Sequence, residues 1–243
     1  MSASASDFDE LVAHPGAGRR FEHSLSVGLA DAAPSGRVRL DAVARWLQDV
    51  ALADVVDAGL GEAALWVVRR TRLAVTRFPR FGETVAVSTF CSATGRMWAQ
   101  RRTTVATSAG GLVEAVALWV HLDPASLRPI PFSAQELEVY SASAAGREVK
   151  ARLRHPGPPE DAPSRPWHFR STELDVADHI NNAAYWSPLE AELLTSGEDL
   201  EWIDVEMEHK TPTQPGEHAI VADGPRRWIL GDEGEVRASL VIA

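Results

Sequence analysis

The same order of predicted elements occurs twice along this chain. In the first copy, residues 21–29 predict a strand, and apolar residues at three- and four-residue steps predict a helix over 42–58. Asp41 is placed to cap that helix and Gly59 to end it. Four β-like segments follow, with short Gly- and Pro-containing spacers, at 66–76, 84–92, 97–108 and 112–122. Such spacers predict hairpins, and hence an antiparallel meander after one long helix.

The second copy begins at a predicted strand over 167–172. A helix is predicted to start at Asn181 or Asn182 and to run to about Leu194, kinked or shortened by Pro188. Strands are then predicted at 202–209, 218–222, 227–230 and 235–242. The matching helix starts lie about 140 residues apart and the matching Gly-Glu turns about 134 apart, as expected of a diverged duplication.

These patterns divide the chain into four parts. We predict a flexible N-terminus over 1–18, a first domain over 19–133, a linker over 134–166 and a second domain over 167–243. The linker carries five prolines between 156 and 166, which fit neither a helix nor a central strand, and a short helix is expected near 134–140.

A helix with one apolar stripe must bury that stripe, and an antiparallel sheet can wrap around it. The predicted fold class is therefore α+β, in the form of a double hotdog: two tandem hotdog domains, each a sheet wrapped around a long helix. Because such a chain already contains its own pair of domains, both a monomer and a homodimer are compatible with it.

Composition excludes several classes of protein. The single cysteine, Cys91, cannot form an internal disulfide, and no Cys/His spacing suits zinc, so no metal and no cofactor are expected. We interpret Cys91 as a small buried apolar residue. A formal net charge of −10 argues against nucleic-acid binding. No signal peptide or membrane-spanning segment is expected, which predicts a soluble, cytoplasmic protein.

One polar cluster stands at the junction between a predicted strand and the second helix. It contains Asp175, His179, Asn181 and Asn182. The first turn of a helix carries unpaired backbone N–H groups that favour negative charge. A carbonyl oxygen that becomes an oxyanion would be stabilised there. The cluster therefore predicts acyl-transfer chemistry, although an Asn in isolation is more often an ordinary helix cap.

The cluster resembles the D-x-x-x-H-x-N-N-x-x-Y signature that opens this helix in many hotdog thioesterases. The segment LWVVRRTRLAVTRFPRFGETVAVSTFCSATGRMWAQRRTTV, the later ALWVHLDPASLRPIP and the helical WLQDVAL are similar to plant and bacterial acyl-ACP thioesterases. This resemblance extends from about residue 21 to near the C-terminus. It implies hydrolysis of a fatty acyl thioester carried by acyl carrier protein, with the chemistry in the second domain.

The resemblance also implies roles for single residues. Asp175 and His179 match the family's catalytic Asp and His, but Ala177 stands where the family has an Asn. The family's later acidic residue falls near Pro212 or Thr213. We predict that His179, oriented by Asp175, activates or positions a water, and that Asn181 polarises the carbonyl or places that water. Asn182 and the backbone N–H groups at the helix start are predicted to hold the oxyanion.

Glu206 and Glu208 are alternative acids on a predicted strand. They alternate with Ile203, Val205 and Met207, so we interpret them as a solvated face. An acyl pocket is predicted in the first domain, with the bulky Trp46, Trp66 and Trp119 as candidate lining residues.

Arginines are concentrated in the first domain. Residues 66–102 contain eight arginines and one acid. Acyl carrier proteins are acidic, so an Arg-rich surface would speed their encounter with this chain. The candidate patch contains Arg69, Arg70, Arg72 and Arg77, although neighbours on a strand point to opposite faces.

Two other functions remain open from the sequence. One is a hotdog enzyme for a different acyl thioester, such as an acyl-CoA hydrolase or a dehydratase. The other is a non-catalytic acyl-binding module, which the replacement at Ala177 and the missing acid near Pro212 would suit.

Overall fold

In a computed structural model that describes residues 8–61, 65–197 and 199–243, ten strands form one sheet with antiparallel neighbours. The first half contributes β1 (Phe21–Ser26), β2 (Leu65–Arg77), β3 (Thr84–Thr94), β4 (Trp98–Thr107) and β5 (Leu112–Leu122). The second half contributes β6 (Ser164–Phe169), β7 (Ile203–His209), β8 (Gly216–Asp223), β9 (Arg226–Leu230) and β10 (Val236–Ile242).

The strand order shows an internal duplication. Across the sheet it is β1-β3-β4-β5-β2-β7-β10-β9-β8-β6. From its outer edge to the centre of the sheet, the first half runs β1-β3-β4-β5-β2 and the second half runs β6-β8-β9-β10-β7. The two halves therefore have the same strand order, with β1 to β5 matching β6 to β10. The halves join where β2 pairs with β7, from Arg70 opposite Glu208 to Val75 opposite Ile203. The predicted repeat and the α+β double-hotdog fold are confirmed.

The long helix of the first half is α1 (Leu40–Asp57). Its apolar stripe, including Val43, Leu47 and Val50, is buried against the sheet. Asp41 does not cap it, because its carboxylate is held by Arg39 at 2.9 Å. Instead, the Leu40 N–H donates to the Glu190 carboxylate at 3.0 Å, so the second half caps the first helix.

The matching helix of the second half, α3 (Ser187–Thr195), is shorter and starts later than predicted. Pro188 lies in its first turn, where a missing N–H removes no helical hydrogen bond, so the proline begins the helix rather than kinking it. A 3-10 turn, Ala184–Trp186, precedes it. The two helices contact each other, and both contribute to one apolar core that draws on both halves.

The linker and the N-terminal segment cover the opposite face of the sheet. The linker starts with α2 (Ala134–Ala144), longer than the predicted short helix. Beyond it, the Arg154 side chain binds both carboxylate oxygens of Glu206 at 2.9 Å, and the N–H groups of Arg154 and His155 donate to Glu208. Glu206 and Glu208 are thus fully buried, and the prediction that they form a solvated face is wrong.

The N-terminal segment is anchored in the same region. Phe8 is buried, and Asp9 binds the guanidinium of Arg70 through both carboxylate oxygens. The segment predicted to be flexible therefore makes packing and ion-pair contacts at these two residues, and positions 1–7 lie outside the described residues. In the described part of the chain, no helix has both the length and the apolar character needed to cross a membrane.

Candidate active site

The predicted motif forms a tight turn between β6 and α3. Its base is a bridge between Leu174 and Ile180. Within it, the Asp175 N–H donates to the His179 carbonyl at 2.9 Å, and the Asp178 N–H donates to the Asp175 carbonyl at 3.0 Å. Asp178 has φ 57°, a left-handed conformation that Asp tolerates better than most residues. The turn fixes the backbone at both predicted catalytic positions.

The Asp175 carboxylate does not bind His179. One oxygen accepts from the Ala177 N–H at 2.9 Å, and the other accepts from the Asn181 amide at 3.3 Å. Among the described residues, the half-buried His179 ring has no hydrogen-bond partner. Asp175 thus stabilises the turn, and the predicted orienting contact to His179 is absent.

Asn181 connects this turn to the first half of the molecule. Its amide donates to Gln48 of α1 at 3.3 Å, and the Gln48 amide donates back at 3.2 Å. The Asn181 side-chain oxygen also accepts from the Ala183 N–H, and its carbonyl accepts from the Ala184 N–H. These N–H groups, which were predicted to hold an oxyanion, are therefore already engaged.

Asn182 points to the interior rather than to the turn. It lines a cavity of about 10 Å³ between α1, β2 and β5, which has room for about one water molecule. The other residues of its wall include Leu47, Gln48, Trp119 and His209. Asn182 makes no side-chain hydrogen bond within the described residues, so its amide is free to donate there.

His209 lines that cavity with an uncharged imidazole ring. Burial, together with the nearby charge of Arg69, lowers its pKa to about 3. The ring therefore carries no charge at neutral pH, and its Nδ1 has no partner in the described structure. A neutral wall suits an apolar ligand better than a cationic one would.

His179 faces a different space, an open cleft of about 240 Å³. The cleft is also lined by Thr213 and His218, a pair that no sequence pattern indicates. Thr213 Oγ1 lies 2.6 Å from His218 Nε2, and His218 Nδ1 lies 3.0 Å from the Gly216 carbonyl. The cleft thus contains two imidazoles and a hydroxyl beside the predicted motif.

Comparison with known proteins identifies the family. Residues 18–139, half of the chain, match the family model described as the acyl-ACP thioesterase N-terminal domain. The chain belongs to the acyl-ACP thioesterase family. It is accordingly a thioester hydrolase, as the sequence predicted, and membership supports hydrolysis of fatty acyl thioesters in general.

Several relatives align with two thirds or more of this chain. A Mycobacterium tuberculosis protein described as uncharacterized is 27% identical over 72% of this chain and 71% of its own. A chloroplastic acyl-[acyl-carrier-protein] hydrolase of Cuphea viscosissima is 26% identical over 68% of this chain and 45% of its own. The structure of a 12:0-ACP thioesterase from Umbellularia californica aligns with a TM-score of 0.71 at 20% identity, over 92% of this chain and 96% of its own.

A bacterial structure aligns as well. An acyl-ACP thioesterase from Bacteroides thetaiotaomicron gives a TM-score of 0.74 at 15% identity, over 92% of this chain and 96% of its own. At such identities the alignments show the shared double-hotdog fold, and the roles of individual residues must be argued from this chain's own geometry.

The three predicted pocket tryptophans lie in different places. Trp119 lines the interior cavity. Trp46 is buried in the main core, and Trp66 stacks on Phe132 at 5.5 Å between ring centroids. Of the three, the structure therefore places Trp119 beside the space next to Asn182.

The predicted arginine patch does not form as one surface. Arg70 and Arg72 are buried beneath the N-terminal segment, and Arg72 forms a bidentate pair with Asp204. Their inclusion in an exposed patch is wrong. Arg69 is half-buried and donates to the Lys210 carbonyl at 2.8 Å, whereas Arg77 is exposed at the end of β2.

Two further groups are excluded as a catalytic nucleophile and as a metal site. Cys91 is buried, as predicted, and burial raises the pKa of its thiol to about 11, which leaves it protonated and unreactive. His155, Glu206 and Glu208 place ligand atoms within 4.8 Å of one another, as a metal site would. Because Arg154 and Arg70 already neutralise this cluster, it is an ion-pair network that fixes the linker.

Proposed function

We propose that this chain hydrolyses the thioester between a fatty acyl chain and acyl carrier protein, releasing the free fatty acid and the carrier thiol. The observation that carries the proposal is the position of the motif turn. On one side His179 faces an open polar cleft, and on the other Asn182 faces the apolar interior of the first half. A thioester with one polar and one apolar substituent needs such a boundary.

In the proposed reaction, a water in the cleft attacks the thioester carbonyl carbon. The free His179 ring holds that water or accepts its proton. The Asn182 amide donates to the carbonyl oxygen as negative charge develops there, and Asn181 keeps the turn in register with α1. The C–S bond then breaks, and the sulfur leaves as a thiol.

The acyl chain is proposed to enter beside Trp119. The cavity is too small to hold a chain as it stands, so its apolar walls must move apart when the substrate binds. Each methylene that leaves water contributes about 0.8 kcal/mol toward that opening. Arg77, the exposed member of the predicted patch, is proposed to attract the acidic carrier.

The test is hydrolysis of carrier-bound and CoA-bound acyl chains of matched length by the wild type and by His179→Ala. We expect faster turnover of the carrier-bound substrate and a roughly 100-fold lower kcat in the variant, typical of losing a group that activates or positions the attacking water. His168→Ala is the matched control, because that exposed histidine contacts Glu217 rather than the cleft.

Three results would contradict parts of the proposal. Equal rates for wild type and His179→Ala would remove His179 from the site. Faster turnover of acyl-CoA would reassign the substrate. Carrier turnover that is independent of ionic strength would remove the electrostatic role of Arg77, since exposed charges are screened by salt.

A further inference from the structure

The cleft beside His179 contains an oriented hydroxyl–imidazole pair. We propose that Thr213 and His218 form a proton relay for the attacking water: the water gives its proton to Thr213 Oγ1 while Thr213 gives its own to His218 Nε2. The relay rests on the proposed hydrolysis, and it adds two catalytic residues to that reaction.

The hydrogen bonds determine which atom carries the proton. A carbonyl oxygen can only accept, so the 3.0 Å contact between the Gly216 carbonyl and His218 Nδ1 places the ring proton on Nδ1. In the neutral ring Nε2 is then an acceptor, and the Thr213 hydroxyl at 2.6 Å must donate to it. Thr213 lines the cleft, and a hydroxyl that donates its hydrogen keeps lone pairs that can accept from a water there.

The packing around the pair keeps this geometry fixed. His218 is 9% exposed and Thr213 is 3% exposed. The edge of the His218 ring meets Phe169 at 5.0 Å between ring centroids. The Ile180 N–H donates to the Thr213 carbonyl at 3.0 Å, which ties the hydroxyl to the turn that carries His179.

The two histidines of the cleft therefore differ in how well their tautomer and ring direction are fixed. A general base works best when a further group fixes its tautomer and direction. Gly216 and Thr213 provide both for His218, whereas nothing in the described structure does so for His179. We infer that His218 takes the proton and that His179 positions the water, the second of the two roles open to it.

The relay needs no further proton donor or acceptor, because the proton taken from water is later given to the leaving sulfur. As the water oxygen bonds to the carbonyl carbon, its proton passes through Thr213 and His218 becomes an imidazolium facing an oxyanion. When the oxyanion re-forms the carbonyl, the C–S bond breaks. The imidazolium proton then returns through Thr213 to the leaving sulfur, leaving a carboxylic acid, a thiol and neutral His218.

Three variants test the relay on octanoyl- and palmitoyl-carrier protein. Thr213→Val keeps the shape but removes the hydroxyl, and Thr213→Ser keeps the hydroxyl but removes a methyl group. His218→Gln removes the base. We expect kcat to fall about 100-fold in Thr213→Val and in His218→Gln, with KM within about twofold, and to fall less than tenfold in Thr213→Ser.

Thermal unfolding of the same variants separates catalysis from packing. If the pair were only structural, activity would follow the melting temperature, and Thr213→Ser would gain nothing over Thr213→Val. That result, or an unchanged kcat in Thr213→Val, would overturn the relay. An acyl group found covalently on Thr213 by mass spectrometry would also overturn it, since Thr213 would then be the nucleophile.

The design distinguishes the relay from the proposed function. A wild type that hydrolyses neither carrier-bound substrate would refute the function, and the relay with it. An active wild type with fully active Thr213→Val and His218→Gln variants would refute the relay alone. His168→Gln serves as the control and should retain full activity, because His168 lies on β6 and is paired with Glu217.

Discussion

Gln48 and Asn181 exchange two amide hydrogen bonds, although they are 133 residues apart in the chain. Gln48 belongs to the helix of the first half and Asn181 to the motif turn of the second. The pair therefore fixes the distance between the wall of the interior cavity and the residues around His179. A site shared by two halves needs such a contact to keep its parts in register.

Replacing Gln48 tests whether that register matters. Gln48→Ala removes both bonds to Asn181, and a typical hydrogen bond contributes about 1 kcal/mol net. We expect kcat/KM for acyl-carrier protein to fall about tenfold. Asp49→Ala, one residue along on the exposed side of α1, is the control. Equal kinetics in the two variants would mean that the amide pair is irrelevant to catalysis.

Trp119 is expected to limit the length of the acyl chain. Its ring closes the cavity beside Asn182, so Trp119→Ala should create space there and shift the preferred substrate toward longer chains. The measurement is kcat/KM across a series of saturated acyl-carrier proteins. Trp66→Ala provides the comparison, because that ring stacks on Phe132 and packs at a tilt against His121 instead. A parallel shift in both variants would contradict the assignment.

Glu190 should be important for stability. It caps α1 through Leu40 and pairs with the buried Arg37 at 2.8 Å. Glu190→Gln leaves Arg37 buried without its counter-charge, which should lower the free energy of unfolding by about 3 kcal/mol. Glu192→Gln on the same helix is the matched control: its partner is Arg227 at a more exposed position, and about 0–1 kcal/mol is expected. Urea titration measures both losses.

The ion-pair network around Glu206 should make the free energy of unfolding depend on pH in the acidic range. Burial alone would raise the pKa of Glu206, but the hydrogen bond from His155 and the charges of Arg154 and Arg70 outweigh it and lower the pKa below its ordinary 4.5. A carboxyl whose pKa is lowered by folding stabilises the protein above pH 4.5, and that contribution is lost as the pH falls through the lower value.

We expect the stability cost of Glu206→Gln to depend on pH. Its deficit in unfolding free energy should be largest near pH 7 and should shrink as the pH is lowered below 4.5. Urea titrations of both proteins at each pH measure it. Glu217→Gln, at an exposed position on β8, should show no comparable trend. A deficit that is constant with pH would show that Glu206 acts through packing alone.

Local sequence patterns predicted the helices and strands well because the spacing of apolar residues reflects which side chains are buried. The alternation around Val205 and Met207 correctly indicated which side chains of β7 face the core. The same alternation could not show that the linker returns to cover Glu206 and Glu208, since that contact depends on residues about 50 positions away. The buried Arg70 and Arg72 escaped prediction for the same reason.

The candidate site was predictable only where it is continuous in sequence. Asp175, His179 and the two asparagines form one run, and the structure places them on one turn. Gln48, Thr213 and His218 are brought next to this turn by tertiary packing, and no local spacing marks them. The one available signal was the family's acidic position falling near Thr213, which marked the region beside the turn without revealing the neighbouring imidazole.

The pairing of β2 with β7 has a consequence for how this protein can vary. In a symmetric pair of identical chains, every residue at the junction occurs twice, so any substitution alters both ends. Here the bond between Arg72 and Asp204 occurs once. Each half is therefore free to change alone, and the junction cannot dissociate on dilution because a single chain provides both strands.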